Sequence, residues 1–196
     1  MPKIQSTWGF QGRSDVQFIE QGPTYRAGFA LDIALKRMER SAASAADFAE
    51  VARGYCSWCE NPPSANANVE AAFWLGRLYS SALMLPKVSC ENEDGLPDIP
   101  SETLARAIAN LAPFSGWYYR EVFDPHPYRT EVPGMGDIGD DLLDTYKDIR
   151  AGLVLFDRGE VDDALWHWSF LHLIHWGRHA VGAMYALHCL AISQNE

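Results

Sequence analysis

The stretch from Val161 to Ser193 limits what this chain can fold into more than any other. VDDALWHWSFLHLIHWGRHAVGAMYALHCLAIS contains no proline and is apolar almost all the way round. A helix with one apolar stripe can lie on a protein surface, but a helix that is apolar on every side needs protein on every side. Read as a single helix, the stretch predicts an all-α fold: a single-domain helical bundle with a long, central, buried C-terminal helix.

The rest of the chain supplies the surrounding helices. Proline and glycine fall between periodic runs, and no run sustains two-residue alternation. Residues 1–45 read as an N-terminal extension with a weakly patterned first helix over about 25–41, and residues 46–196 as the helical domain. Ser44, with Asp47 three positions on, is placed to cap a helix that ends before Pro62. A third helix covers about 67–85 and stops at Pro86, and Ser101 is placed to cap ETLARAIANL. After Pro113, SGWYYREVF is expected to continue as another helix or turn. Residues 124–139, with Pro125, Pro127, Pro133, Gly134, Gly136 and Gly139, form the longest irregular segment after the N-terminus. From about Asp140 to Asp157, Leu142, Tyr146, Ile149, Leu153 and Phe156 make a helical stripe, which Gly159 closes with a left-handed cap. The sum is six or seven helices.

Charge narrows the partners. The chain carries a net −10; residues 1–45 hold six Lys/Arg and four Asp/Glu, and the remainder holds ten against twenty-two. That acidic bulk argues against nucleic acid and against anionic membrane surfaces. No apolar run reaches the length of a membrane span, and MPKIQSTWGFQGRSD lacks the basic-then-apolar order of a secretory signal, so a cytoplasmic location is expected. The four cysteines, Cys56, Cys59, Cys90 and Cys189, are then expected as thiols. Cys56-Ser-Trp-Cys59 lacks the strand-then-helix setting of a redox motif, and no second CxxC completes a zinc knuckle. Phe48, Ala52, Tyr55 and Cys59 recur at 4-3-4 spacing, which reads Cys59 as a core residue near a helix end.

DDLLDTYKDIRAGLVLFDRG, DDALWHWSF and HWGRHAVGAMYALH together resemble the bacterial domain of unknown function 5063 family, and DFAEVARGYC and FWLGRLYSSALMLP look like its earlier part. The resemblance runs from about residue 46 to the C-terminus. It implies a helical fold and assigns no catalytic residue. A weaker echo is tetratricopeptide-like: Gly152, Phe156, Gly159, Ala164 and Trp168 have helix-hairpin offsets, without a clean 34-residue period. Small residues there let two helices approach, and aromatic side chains fill the gap.

The histidines of the last stretch are the candidate site. At 100° per residue, with Ala164 at zero, His175, Trp168, His179 and His172 fall at about 20°, 40°, 60° and 80°, with Arg178 at the flank and His167 and His188 elsewhere. Three readings follow. The imidazoles are polar anchors between helices; or Trp168, His172, His175 and Arg178 line a pocket for an anionic small molecule or peptide; or histidines one turn apart ligate a metal. One helix rarely supplies every ligand, so no metal site is assigned and no cofactor is expected. Asp141, Asp144 and Asp148 share a face of the preceding helix. The helix dipole accounts for Asp140 and Asp141 in the first turn, but not for Asp144 and Asp148. Those two read as a solvated face, or as carboxylates crossing to a histidine or Arg178, which would raise the imidazole pKa and fix its tautomer. His126, between Asp124 and Tyr128, is a further loop-borne candidate.

No phosphate loop, nucleophile elbow or parallel-sheet signature is present. The function expected is a non-enzymatic protein-interaction or regulatory module, with a protein partner that includes a homodimer. The alternatives are a metal- or small-molecule-binding enzyme using the His172/His175/His179 face, with Trp168, Arg178, Asp144 and Asp148 beside it, and an immunity-type partner of a basic protein.

Overall fold

A computed structural model describes residues 44–61, 64–89, 97–126 and 130–193. The expected helix over 25–41 and Cys90 lie outside them. Six α-helices are present among the described residues: α1 over 44–59, α2 (Ala67–Ala82), α3 (Ser101–Leu111), α4 (Ile138–Asp157), α5 (Val161–Ile174) and α6 (Trp176–Ser193). None is long and apolar enough to cross a membrane. Helix α4 packs on both α5 and α6, α2 lies on α6, and α3 lies on α4. The bundle is thus built around its C-terminal helices, as the apolar stretch requires.

The stripes were read correctly where their period is clean. Leu142, Tyr146, Ile149 and Leu153 of α4 are fully buried, with Phe156 packed at the core's edge. On α1, Phe48, Ala52, Tyr55 and Cys59 are all buried, and the Tyr55 hydroxyl donates to the Leu142 carbonyl at 2.7 Å. Cys59 ends α1 inside the core, and burial pushes both the Cys56 and Cys59 thiols up. Gly159, at φ +85°, ends the α4 turn as expected.

Three local expectations are corrected. Residue 44 is already helical, and its hydroxyl donates to the Met84 carbonyl at 3.3 Å instead of capping. Ser101 lies inside α3, whose cap position is Pro100 and has no side-chain cap bond. SGWYYREVF does not continue as a helix: after a short 3-10 turn at 112–114, Tyr118–Glu121 forms β1, antiparallel to β2 (Gly134–Asp137). The glycines that made 124–139 look irregular are what this hairpin needs. Tyr119 pairs with Gly136, and a Cβ there would fall 2.4 Å from the Tyr119 ring. Strand β2 runs straight into α4 through Asp137, which caps it by accepting from the Gly139 N–H at 2.9 Å.

The expected single C-terminal helix is two. His175 sits at φ −141°, ψ −91°, outside helical geometry, and its N–H still donates to Leu171 while its carbonyl starts α6 by accepting from Arg178. Packing explains the break. On one straight helix the residues buried in α5 (Ala164, Leu165, His167, Trp168) would centre near 20° and those buried in α6 (Trp176, Gly177, Ala180, Ala183, Ala186, Leu187) near 130°, roughly 110° out of phase. Turning the chain at His175 lets both faces meet the same core. Trp176 is then fully buried and donates its Nε1–H to the Trp168 carbonyl at 3.1 Å.

Candidate functional site

The break separates residues that a continuous helix would have aligned. Trp168 belongs to the core: it is fully buried, its Nε1–H donates to the Ile149 carbonyl at 3.1 Å, and it packs on Phe48 at 4.8 Å between centroids. His172 lies apart from the other two histidines, against Tyr79 and Trp176, each at 4.8 Å. Burial lowers its pKa, and its Nε2 has no hydrogen-bond partner among the described residues. His167, expected to face away, is buried, and its Nε2 meets the Asp148 carbonyl at 2.9 Å; burial lowers its pKa despite that bond.

His175 and His179 instead turn onto the aspartate face of α4, so that face is not simply solvated. The Nδ1 of His175 meets Asp148 Oδ2 at 2.7 Å, and the Nδ1 of His179 meets Asp141 Oδ1 at 2.7 Å. A carboxylate only accepts, so each Nδ1 donates the proton it carries. Asp144 completes the group: one oxygen accepts from Lys147 Nζ at 2.8 Å, and the other lies 4.0 Å from His179 Nε2. The imidazole rings of His175 and His179 meet edge to face at 4.8 Å. The hydrogen bond to Asp141 raises the His179 pKa, with burial opposing it.

Two residues of the site owe their role to partners from distant segments. Asp141 is only 4 % exposed, far too buried for the dipole explanation of a first-turn acid to suffice. Tyr119 donates its hydroxyl proton to Asp141 Oδ2 at 2.7 Å, and burial, then that bond, holds the phenol well above its usual range. Its ring lies over Gly136, and a Cβ at Gly182 would fall 2.3 Å from its hydroxyl, so two glycines make room for the side chain that orients Asp141.

Arg178 points away from the seam. It contacts Glu121 at 3.2 Å and lies over the Phe123 ring at 4.0 Å. Here it borders an open groove of about 530 Å³, lined in part by Tyr79, Tyr119, His172, Leu173, Val181 and Tyr185. His126 is exposed on its loop, with its backbone N–H on Asp124. Of the consecutive aromatics, Tyr118 is exposed while Tyr119 reaches the seam, as three adjacent rings require.

Fold and site together define a helical bundle domain with one small hairpin, in which a row of aspartates on α4 holds one histidine at the α5–α6 junction and one on α6. The chain belongs to the DUF5063 family, a domain of unknown function, which matches residues 39–193 and so begins slightly upstream of the expected boundary. Among solved structures it is similar to protein BF1032 from Bacteroides fragilis, at 24% identity and a TM-score of 0.58, over 74% of this chain and 92% of that one. At that identity the likeness concerns the fold alone. No curated protein matches the chain.

Proposed function

We propose that this protein is a cytoplasmic, non-enzymatic interaction module whose docking face is α6, and that its partner there is a second copy of the chain. The observation that carries this is an apolar stripe left in solvent. Val181, Tyr185 and Ile192 of α6 are 45%, 66% and 50% exposed, and Leu173 and Ile174 extend the stripe to the end of α5 at 81% and 54%. Monomeric proteins seldom leave such a contiguous apolar surface uncovered.

Charge selects the occupant. In a chain of net −10, like copies repel over most of their surface, but WGRHAVGAMYALHCLAIS contains no acidic residue and one arginine. Two copies laid α6 to α6 bring apolar side chains together, with the neighbouring Glu121 already paired to Arg178, and a twofold axis makes one such patch sufficient. Cys56 and Cys59, buried in the core as thiols, accord with a reducing compartment.

Sedimentation velocity of the full chain tests the proposal. A species of twice the 21.9 kDa chain mass is expected by about 50 µM. Val181→Glu with Tyr185→Glu, both on exposed positions, should return the monomer with an unchanged circular-dichroism spectrum. A parent that stays monomeric at about 200 µM, or a dimer indifferent to both substitutions, overturns it.

A further inference from the structure

We propose that Asp144, His175 and His179 bind one divalent transition-metal ion. A nitrogen of His175, a nitrogen of His179 and a carboxylate oxygen of Asp144 all lie within 4.8 Å of one another. The donors come from two elements, α4 and the α5–α6 junction, which answers the objection that one helix rarely provides a full set.

The surroundings are those of a metal site rather than of two isolated hydrogen bonds. Ligating histidines almost always give their second N–H to a carboxylate or carbonyl, which fixes the tautomer and makes the other nitrogen more basic. Asp148 does this for His175 and Asp141 for His179, both at 2.7 Å, and Tyr119 locks Asp141 in turn. If the two imidazoles served only as polar anchors, a single backbone carbonyl each would satisfy them, as it does for His167. Charge points the same way. Asp141, Asp144 and Asp148 bring three negative charges, Lys147 returns one, and neutral imidazoles add none, which leaves two for a divalent cation to balance.

Metal bonds of about 2.0–2.2 Å put neighbouring ligand atoms of a tetrahedral site roughly 3.4 Å apart, so atoms now within 4.8 Å must close up by as much as about 1.4 Å on binding. The group best able to move is Asp144. Its side chain is 23% exposed, and its hydrogen bond goes to Lys147, which is 44% exposed and able to swing into water. His175, 44% exposed, leaves an entry path. Two nitrogens and one oxygen favour zinc, iron(II), cobalt or manganese over magnesium or calcium, and three protein ligands leave a position open to water.

The test uses the full chain, purified without a histidine tag, stripped with chelator and titrated with zinc, cobalt(II), manganese and anaerobic iron(II). One equivalent of at least one of these should bind with a dissociation constant of about 10 µM or tighter, raise the melting temperature in proportion to the logarithm of free metal, and, for cobalt, give visible ligand-field bands. Asp144→Asn, which keeps the size of a partly exposed side chain, should weaken binding at least about 10-fold, His175→Gln and His179→Gln at least about 100-fold, and Asp148→Asn about 10- to 100-fold with the cobalt bands shifted. No ion binding tighter than about 100 µM overturns the proposal, as does tight binding that survives both histidine substitutions in variants of parental circular dichroism.

Discussion

Gly152→Ala is a one-carbon test of the contact that joins α4 to α5. A Cβ at position 152 would fall 2.1 Å from Trp168 Nε1, more than 1 Å inside van der Waals contact. The indole has nowhere to retreat, because Phe48 packs against it at 4.8 Å and Phe156 at 6.0 Å. Overpacking a dense core destabilises by about 1–3 kcal/mol. Any retreat also strains the Nε1–H bond to the Ile149 carbonyl, now 3.1 Å, and leaving that buried donor unmet costs about 1–3 kcal/mol. Alanine returns about 1 kcal/mol through helix propensity. The net is a loss of about 3 kcal/mol, or roughly 6–12 °C in melting temperature for a domain of this size. Thermal unfolding by circular dichroism reads it. The contact is also testable by coupling: in a cycle with Trp168→Leu, which removes the obstructing ring, the double variant should lose at least about 1 kcal/mol less than the sum of the singles. A Gly152→Ala variant as stable as the parent, or strict additivity in the cycle, would refute the reasoning.

Acid stability should depend on His167. Burial lowers its folded pKa below 6.5, so below that pH the unfolded chain takes up a proton that the folded chain does not. Its linkage destabilises as pH falls, by up to about 1.4 kcal/mol per pH unit until the folded value is reached. His172 acts in the same sense and His179, with its pKa raised, in the opposite one: the stability His179 adds is present below pH 6.5 and fades as pH rises through its folded value. His167→Gln, which can still donate to the Asp148 carbonyl, should flatten the acid limb of urea-unfolding stability between about pH 6.5 and 5; identical slopes would exclude His167 as a contributor. The cysteines should divide by burial: iodoacetamide should modify Cys189 quickly and reach Cys56 and Cys59 only on unfolding, and peptide mass spectrometry showing all three modified at one rate would contradict the packing of α1.

How much of this was legible in the sequence depended on whether one element decided the matter. The α4 stripe was, because Leu142, Tyr146, Ile149 and Leu153 follow one period against one core. So was the unusual status of Asp144 and Asp148, which no helix dipole explains; Asp148 does cross to a histidine. Asp141 was passed over because its first-turn position supplied a sufficient local reason, while its actual partners, His179 and Tyr119, come from distant segments. The hairpin was hidden because its pairing relies on glycine, which reads locally as irregular. The break at His175 left one trace, the phase of the apolar residues, which jumps between Trp168 and Trp176; an apolar content high on every side masks such a jump unless the small and large residues are weighed separately.

That break also decides what the histidines can do. On a continuous helix His175 and His179 would bracket Trp168, which is wholly enclosed, and would be sealed in the core with it. Rotating α6 by roughly 110° relative to that line sends Trp176 inward and carries both histidines to the aspartate face of α4, where their side chains are 44% and 28% exposed. The same rotation leaves Val181 and Tyr185 facing solvent. The paired imidazoles and the exposed apolar stripe are therefore two consequences of one packing requirement, the burial of Trp176, Ala180, Ala183 and Leu187 against the core that Trp168 already occupies.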